Sequence, residues 1–389
     1  MVHGALALGG FAIGTTEFAT MSLLPYFAHD LRISEPTAGH VISAYALGVV
    51  VGAPVIAVLS ARVARRTLLI ALMGLFALTN ALSALAPTYD WMLVFRFLSG
   101  LPHGAYFGIA VLVAASLVPG DRRARAVGRV LLGLTVAMIV GVPVANALGQ
   151  QFGWRWGFGI VAAVALACAA SIAIVAPHDR PIEGASPLRE LNALRSSQVW
   201  LTLATGAIGF GGLFAVYTYL ASTLLEITRV SAGTVPAVLA VFGLGMTVGN
   251  LVIPRFADRA LMPTSGALLL WLAAVLALYP WAATRLWATM LDVFAIGLGG
   301  ALGTVLQTRL MDVAGTAQSL AAALNHSAFN VANALGPWLG GLAIVAGFGF
   351  TSTGYVGCAL ALAALPVWAT SFVLDGRATR HSRSQPQQD

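Results

Sequence analysis

The sequence predicts an all-α integral membrane protein, with twelve transmembrane helices arranged as two pseudo-symmetric six-helix bundles. Three observations predict it. The composition is 59% hydrophobic and only 9% charged, where a soluble domain carries about 25% charged residues. Apolar runs, each near the roughly 20 residues a bilayer requires, recur with short polar or Pro/Gly breaks between them. The first half also matches the second at a constant offset of 197 residues.

The runs fall near 5–27, 38–60, 67–86, 91–118, 126–148 and 154–176, then 198–225, 231–254, 264–284, 286–311, 316–345 and 351–374. The break at Thr284–Arg285 is the shallowest. Residues 1–176 form the N-terminal bundle, 177–197 a polar cytoplasmic linker with three prolines, 198–375 the C-terminal bundle, and 376–389 a disordered cytoplasmic tail. The offset pairs Arg32, Ile33 and Ser34 with Arg229, Val230 and Ser231. In the same register Thr37 meets Thr234, Tyr45 meets Phe242, Gly48 and Gly52 meet Gly245 and Gly249, and Arg62 meets Arg259. Two such repeats about an axis along the membrane normal suit alternating access.

Arginine placement orients the chain. Sixteen of the 21 basic residues lie in alternate loops and the tail, four lie in the opposite loops, and Arg96 lies within a span. The positive-inside rule then puts both termini in the cytoplasm. The N-terminus lacks the basic n-region of a cleaved signal, so it reads as a retained span of a cell (inner) membrane protein.

Composition also excludes functions. All 21 basic residues are arginine, and a nucleotide-binding P-loop requires lysine; uphill work must draw on an ion gradient or a partner. No basic stripe interleaved with aromatics points to nucleic acid. Cys168 and Cys358 sit in apolar runs and read as packing residues. There is no HExxH, nucleophile elbow or close acidic pair in the spans, so an enzyme is not expected. The expected contacts are a small-molecule substrate and membrane lipid, with no nucleotide, metal or cofactor.

Polar residues inside the spans mark the candidate site, because an ionisable group in hydrocarbon is normally kept only where it faces a bundle interior or water. In RFLSGLPHGAYFG, Arg96, Gly100, His103, Gly104 and Phe107 share one helix face. Gly100, Gly104 and Gly108 form a ridge for a neighbouring backbone. Arg96 could instead snorkel to the interface. Glu17, in GTTEF, lies near the centre of span 1, where its charged form is strongly penalised. A carboxyl that is neutral when buried and charged when hydrated can couple proton movement to a change of access; the alternative is a permanent pair with an arginine such as Arg96. Asp292 in span 10 reads as an interfacial residue or, secondarily, as another proton or cation site.

His103 and His326 are each packing residues or relays. His326, Asn330, Asn333 and Pro337 share a face, and need partners in a cavity or on another helix. Tyr217 and Tyr219 in span 7 and Gln307 in span 10 are candidate lining.

At this point the chain resembles the major facilitator superfamily, and within it the twelve-span drug/proton antiporters of the arabinose-efflux and chloramphenicol-exporter branch, over residues 8–375. The loop after span 2 reads Gly52-APVIAVLS-Ala61-Arg62-Val63-Ala64-Arg65-Arg66, where the family's aspartate is replaced by Ala61. Its copy, Gly249-NLVIPRFA-Asp258-Arg259, keeps the acid. The resemblance implies that Gly52, Arg62, Arg65, Arg66, Gly249, Asp258 and Arg259 belong to a conformational gate. It implies that Arg96 assists proton transfer. Gly133, Gly141, Pro143 and Gly149 resemble the antiporters' span-5 motif, implying a helix that bends and packs between the halves. The expectation is a monomeric, proton-coupled exporter of a drug, sugar or related metabolite, drawing on the proton gradient with Glu17, Arg96 and Asp292 as coupling residues. A sugar or metabolite symporter or uniporter is the alternative within the class, and a non-transporting receptor or scaffold the alternative outside it.

Overall fold

The computed structural model describes residues 1–60, 63–119, 123–177, 195–314 and 318–384. Residues 178–194 of the expected linker, Arg62 of the expected gate and the last five residues lie outside the described residues.

Among the described residues twelve long helices are present. α1 (Val2–Ser22) continues into a short helix, Leu24–Asp30. α2 is Glu35–Leu59, α3 Arg65–Ala84, α4 Tyr89–Ser116, α5 Gly128–Phe152 and α6 Arg155–Val175. In the second half, α7 is Ser197–Glu226, α8 Ala232–Ala257, α9 Leu261–Ala282, α10 Leu286–Val313, α11 Leu324–Phe348 and α12 Ser352–Ser384. Eleven of these helices are long and apolar enough to cross a membrane. α1 falls short of that group because Thr15, Thr16, Glu17 and Thr20 dilute its apolar run, yet all four are buried in the bundle. The shallow break is real: α9 ends at Ala282 and α10 begins after Arg285.

α12 stays helical past 375, where the sequence suggests a disordered tail. No proline or glycine follows Gly376 before Ser384, so no residue interrupts the i→i+4 ladder there.

The repeat is visible atom by atom. Ser34 and Ser231 each meet the hydroxyl of a threonine three residues on, Thr37 at 2.7 Å and Thr234 at 3.0 Å. Both serines are N-caps of the next helix. Arg32 and Arg229 share a left-handed backbone, φ 55° and 57°, uncommon for any residue with a Cβ. The register then extends past the region where sequence matches are evident. Gly48 lies on the carbonyl of Phe97 and Gly245 on that of Phe294; Gly100 lies on the carbonyl of Tyr45 and Gly297 on that of Phe242. The same α2–α4 contact is therefore rebuilt by α8 and α10.

Gly104 continues that ridge, its Cβ position 2.7 Å from Ala53 Cβ. Gly108 does not, and has no neighbour within 4 Å. The two helices diverge by that depth, so the ridge ends one turn sooner than the spacing suggests.

Each half carries a polar tie. Arg155 of α6 pairs with Asp30 and donates to the carbonyl of Ala86 at 3.2 Å, while Trp154 Nε1 donates to Asp30 at 2.9 Å. These partners hold the Asp30 carboxyl below its usual range. In the C-terminal half, Arg309 donates to Asp375 at 2.8 Å and Gln198 at 3.4 Å, joining α10, α12 and α7.

One apolar cluster crosses the seam between the halves, with Phe18 and Met138 on one side and Phe214, Tyr217 and Phe242 on the other. Leu78, Leu166, Ile174, Leu251, Leu278 and Trp287 are exposed on the outer surface. That arrangement suits a surface solvated by acyl chains.

Candidate functional site

Glu17 is 8% exposed on α1, and its Oε1 accepts a hydrogen bond from Asn333 Nδ2 of α11 at 3.0 Å. The bond joins the two halves. Glu17 is adjacent in sequence to Thr16, whose hydroxyl donates to Asn80 Oδ1 of α3 at 2.7 Å. Arg96 is 1% exposed and donates to Thr16 Oγ1 at 3.2 Å and Asn80 Oδ1 at 3.5 Å. Its guanidinium lies over the rings of Tyr45 and Phe158, 4.4 and 5.3 Å from their centroids. Arg96 is therefore anchored inside the bundle. It does not snorkel, and it does not close an ion pair on Glu17; the two interact through space while each has its own neutral partners.

His103 faces the same seam. Its Nδ1 is 2.9 Å from the Tyr45 hydroxyl, and its ring centre is 5.9 Å from that of His326 in the other half. His326 also stacks on Phe107, 5° from parallel at 5.2 Å. The stripe of polar residues on α11 thus meets the N-terminal half throughout: His326 on His103 and Phe107, Asn333 on Glu17, and Pro337 beside Gly39. Asn330 donates to the carbonyl of His326 at 2.9 Å. Among the described residues the carbonyl oxygens of the Asn330 and Asn333 side chains have no hydrogen-bond partner.

Tyr217 and Tyr219 also reach the seam. Tyr217 packs edge-on against Phe18 at 5.3 Å with its hydroxyl unpartnered, and Tyr219 donates to the carbonyl of Pro337 at 3.0 Å. Gln307 is half-buried in α10 and is not hydrogen-bonded to this cluster. Asp292 is not part of it either. It is 8% exposed, inside the C-terminal half.

The profile described as Major Facilitator Superfamily matches residues 6–306 and 222–388. The chain belongs to the Major Facilitator Superfamily. It is a multi-pass membrane transport protein, not an enzyme. It is 40% identical over 364 residues to the inner membrane transport protein YdhP of Escherichia coli (strain K12), covering 93% of each chain. It is 34% identical over 377 residues to a chloramphenicol resistance protein of Streptomyces lividans, covering 95% of this chain and 92% of that one. Its fold matches the crystal structure of a bacterial homologue of the human lysosomal transporter Spinster, in an inward-facing and unoccupied conformation. The TM-score there is 0.72 at 17% identity, over 95% of this chain and 96% of the other.

The family motifs are placed as follows. Gly52 lies on the backbone of Leu101, and its counterpart Gly249 on that of Leu298. Arg66 donates to the carbonyl of Ala173 in α6, which ties α3 to α6 within one half. Arg65 begins α3, while Asp258 and Arg259 are exposed at the end of α8. Among the described residues neither Asp258 nor Arg259 forms an ion pair.

The glycines of α5 differ from expectation. Gly133 lies on the carbonyl of Ala7, Gly141 against Thr15 and Phe11, and Gly149 against Leu23. All three face α1 in their own half. At the seam α5 is met instead through the Met138 backbone, admitted by Gly243 of α8, and through Gln150, which donates to the Ala232 carbonyl. Pro143 accounts for irregular winding in α5. It lacks an N–H and its ring crowds the preceding turn, and residues Ala137–Gly141 before it are wound as a π-helix. Such a bulge accommodates one extra residue and so shifts which side chains beyond it face each neighbour.

Sequence reasoning missed Thr16, Asn80 and Tyr45, which hold Arg96. Asn80 carried a signal, as an isolated amide in an apolar run that needs a partner lipid lacks.

Proposed function

We propose that this transporter exports a small organic solute across the inner membrane in exchange for protons, by rocking its two halves about the seam. The observation that carries this is the Glu17–Asn333 bond. An ionised carboxylate is only an acceptor, and a hydrogen bond to it is stronger than a neutral one. Protonation removes the charge and places a donor on the carboxyl. The state of Glu17 therefore bears directly on a bond joining the halves. Arg96, tethered to Thr16 and Asn80, places a fixed positive charge near the carboxyl that exchanges the proton.

The seam is closed at the end carrying Arg32 and Arg229. Ser222 donates to Glu35, Gln150 Nε2 to the Ala232 carbonyl at 2.9 Å, and Ser43 to the Ala334 carbonyl at 3.1 Å. With the termini placed in the cytoplasm by the arginine bias, this conformation is closed to the periplasm. The exposed, unpaired Asp258 and Arg259 fit that reading, since their clamp belongs to the opposite state. Asn330, Asn333, His103, His326, Tyr217 and Tyr219 are the side chains best placed to meet the solute. The carrier works as a monomer and takes its energy from the proton gradient.

Chloramphenicol and a panel of sugars serve as first probes, in proteoliposomes with and without an imposed pH gradient. Gradient-driven flux that Glu17→Gln abolishes, in a variant that still folds, supports the proposal. Flux indifferent to the gradient refutes antiport and points to uniport; flux running with the protons makes the carrier a symporter.

A further inference from the structure

Asp292 is a buried acid outside the seam cluster. It lies in the second turn of α10, and its Oδ2 has no hydrogen-bond partner among the described residues. Three elements surround it. From α9 comes Tyr279, fully buried, with a hydroxyl that has no hydrogen-bond partner among the described residues. On α10 itself the Thr289 hydroxyl is committed to the carbonyls of Ala282 and Arg285, at 3.0 Å each. The face of α8 against α10 is Phe242, Gly245, Met246 and Gly249, with no titratable group. Tyr279 and Asp292 each lie three residues on from the Thr289–Ala282 contact of these antiparallel helices, and no described arginine or histidine pairs with the carboxyl.

An isolated ionised carboxylate in such surroundings is far costlier than a neutral acid, so a positive partner must balance it. The internal repeat locates this acid further. Asp292 corresponds to Phe95 and its neighbour Val293 to Arg96. The C-terminal half therefore has no guanidinium at the matching site, and carries an acid one position away. Hard metal cations take about six or more oxygens. Here the described neighbours offer one carboxylate and the Tyr279 hydroxyl, which suits a proton.

We propose that Asp292 is a second proton-binding site, separate from Glu17 and held within the C-terminal half. The consequence that a cycle moves two protons rests on the exchange reading above; proton binding itself does not require it.

The test uses the purified full chain in lipid nanodiscs, without solute. Infrared difference spectra between acid and alkaline pH read the carbonyl stretch of buried protonated carboxyls, and an indicator dye counts the protons taken up. Asp292→Asn should remove one such band and one proton per chain, while Glu17→Gln removes a different band and leaves that of Asp292. If Asp292→Asn does not fold, Asp292→Glu should keep the proton and shift the band. Spectra and proton count identical between wild type and Asp292→Asn, or an unshifted band in Asp292→Glu, overturn the proposal. A band that collapses when sodium replaces choline at constant pH makes the ion sodium and also overturns it. Should Glu17→Gln alone be silent, the Glu17 reading fails and this one stands.

Discussion

Gly100→Ala and Gly108→Ala are the same substitution in the same helix, eight residues apart, and they should have opposite effects. At Gly108 the added methyl meets nothing within 4 Å. Only the intrinsic helix preference for alanine acts there, about 1 kcal/mol in favour. At Gly100 the methyl runs into the carbonyl oxygen of Tyr45, and lies 2.9 Å from Val49 N and 3.1 Å from the carbonyl carbon of Gly48. These are backbone atoms, so no rotamer change relieves the overlap; α2 and α4 must separate. Overpacking of this kind costs about 1–3 kcal/mol, and an unyielding neighbour places it near the top. After the propensity gain the net loss is about 2 kcal/mol, a roughly 30-fold shift toward the unfolded form. Because the repeat rebuilds this contact, Gly297→Ala should lose a similar amount against the carbonyl of Phe242. Reversible denaturation in mixed detergent–SDS micelles measures all three. Gly100→Ala as stable as Gly108→Ala would refute the argument that backbone approach, and not composition, explains this ridge.

Other outcomes follow from single contacts. In a double-mutant cycle, Glu17→Ala and Asn333→Ala should couple by about 0.5–3 kcal/mol, from the neutral hydrogen bond at acid pH to the one on a charged carboxylate at alkaline pH; additive losses would deny the cross-half bond. The depressed carboxyl of Asp30 should contribute stability that is fully present above its ordinary value of 3.8 and is lost as pH falls through its lower folded value. Arg155→Ala should flatten that acid limb in the same denaturation assay; an unchanged limb would remove the ion pair as its cause. Arg32 and Arg229 hold left-handed backbone, so replacing either with glycine should be tolerated. Valine at either position should be less stable than glycine by about 1–2 kcal/mol, and equal melting of the glycine and valine variants would count against real strain in these turns.

The fold was legible because a bilayer leaves few solutions. Apolar run length gave the spans, and the constant offset gave the repeat, whose register the structure repeats in the turns at Arg32 and Arg229 and the glycine contacts of α4 and α10. The site residues were legible as a list, since Glu17, Arg96, His103 and Asn333 are costly wherever lipid surrounds them. Which of them meet was not. Helical periodicity says that His326 and Asn333 share a face; it does not say that the face opposite holds His103 and Glu17, nor that Arg96 is claimed by Thr16 and Asn80. Those pairings join residues far apart in the chain, and they follow from how the helices cross. Tertiary packing likewise turned the glycines of α5 toward α1, ended the α4 ridge before Gly108 and buried Asp292. The sequence by itself determined which groups cannot face lipid; the crossing of the helices, set by where backbones can touch, decided what each of them faces instead.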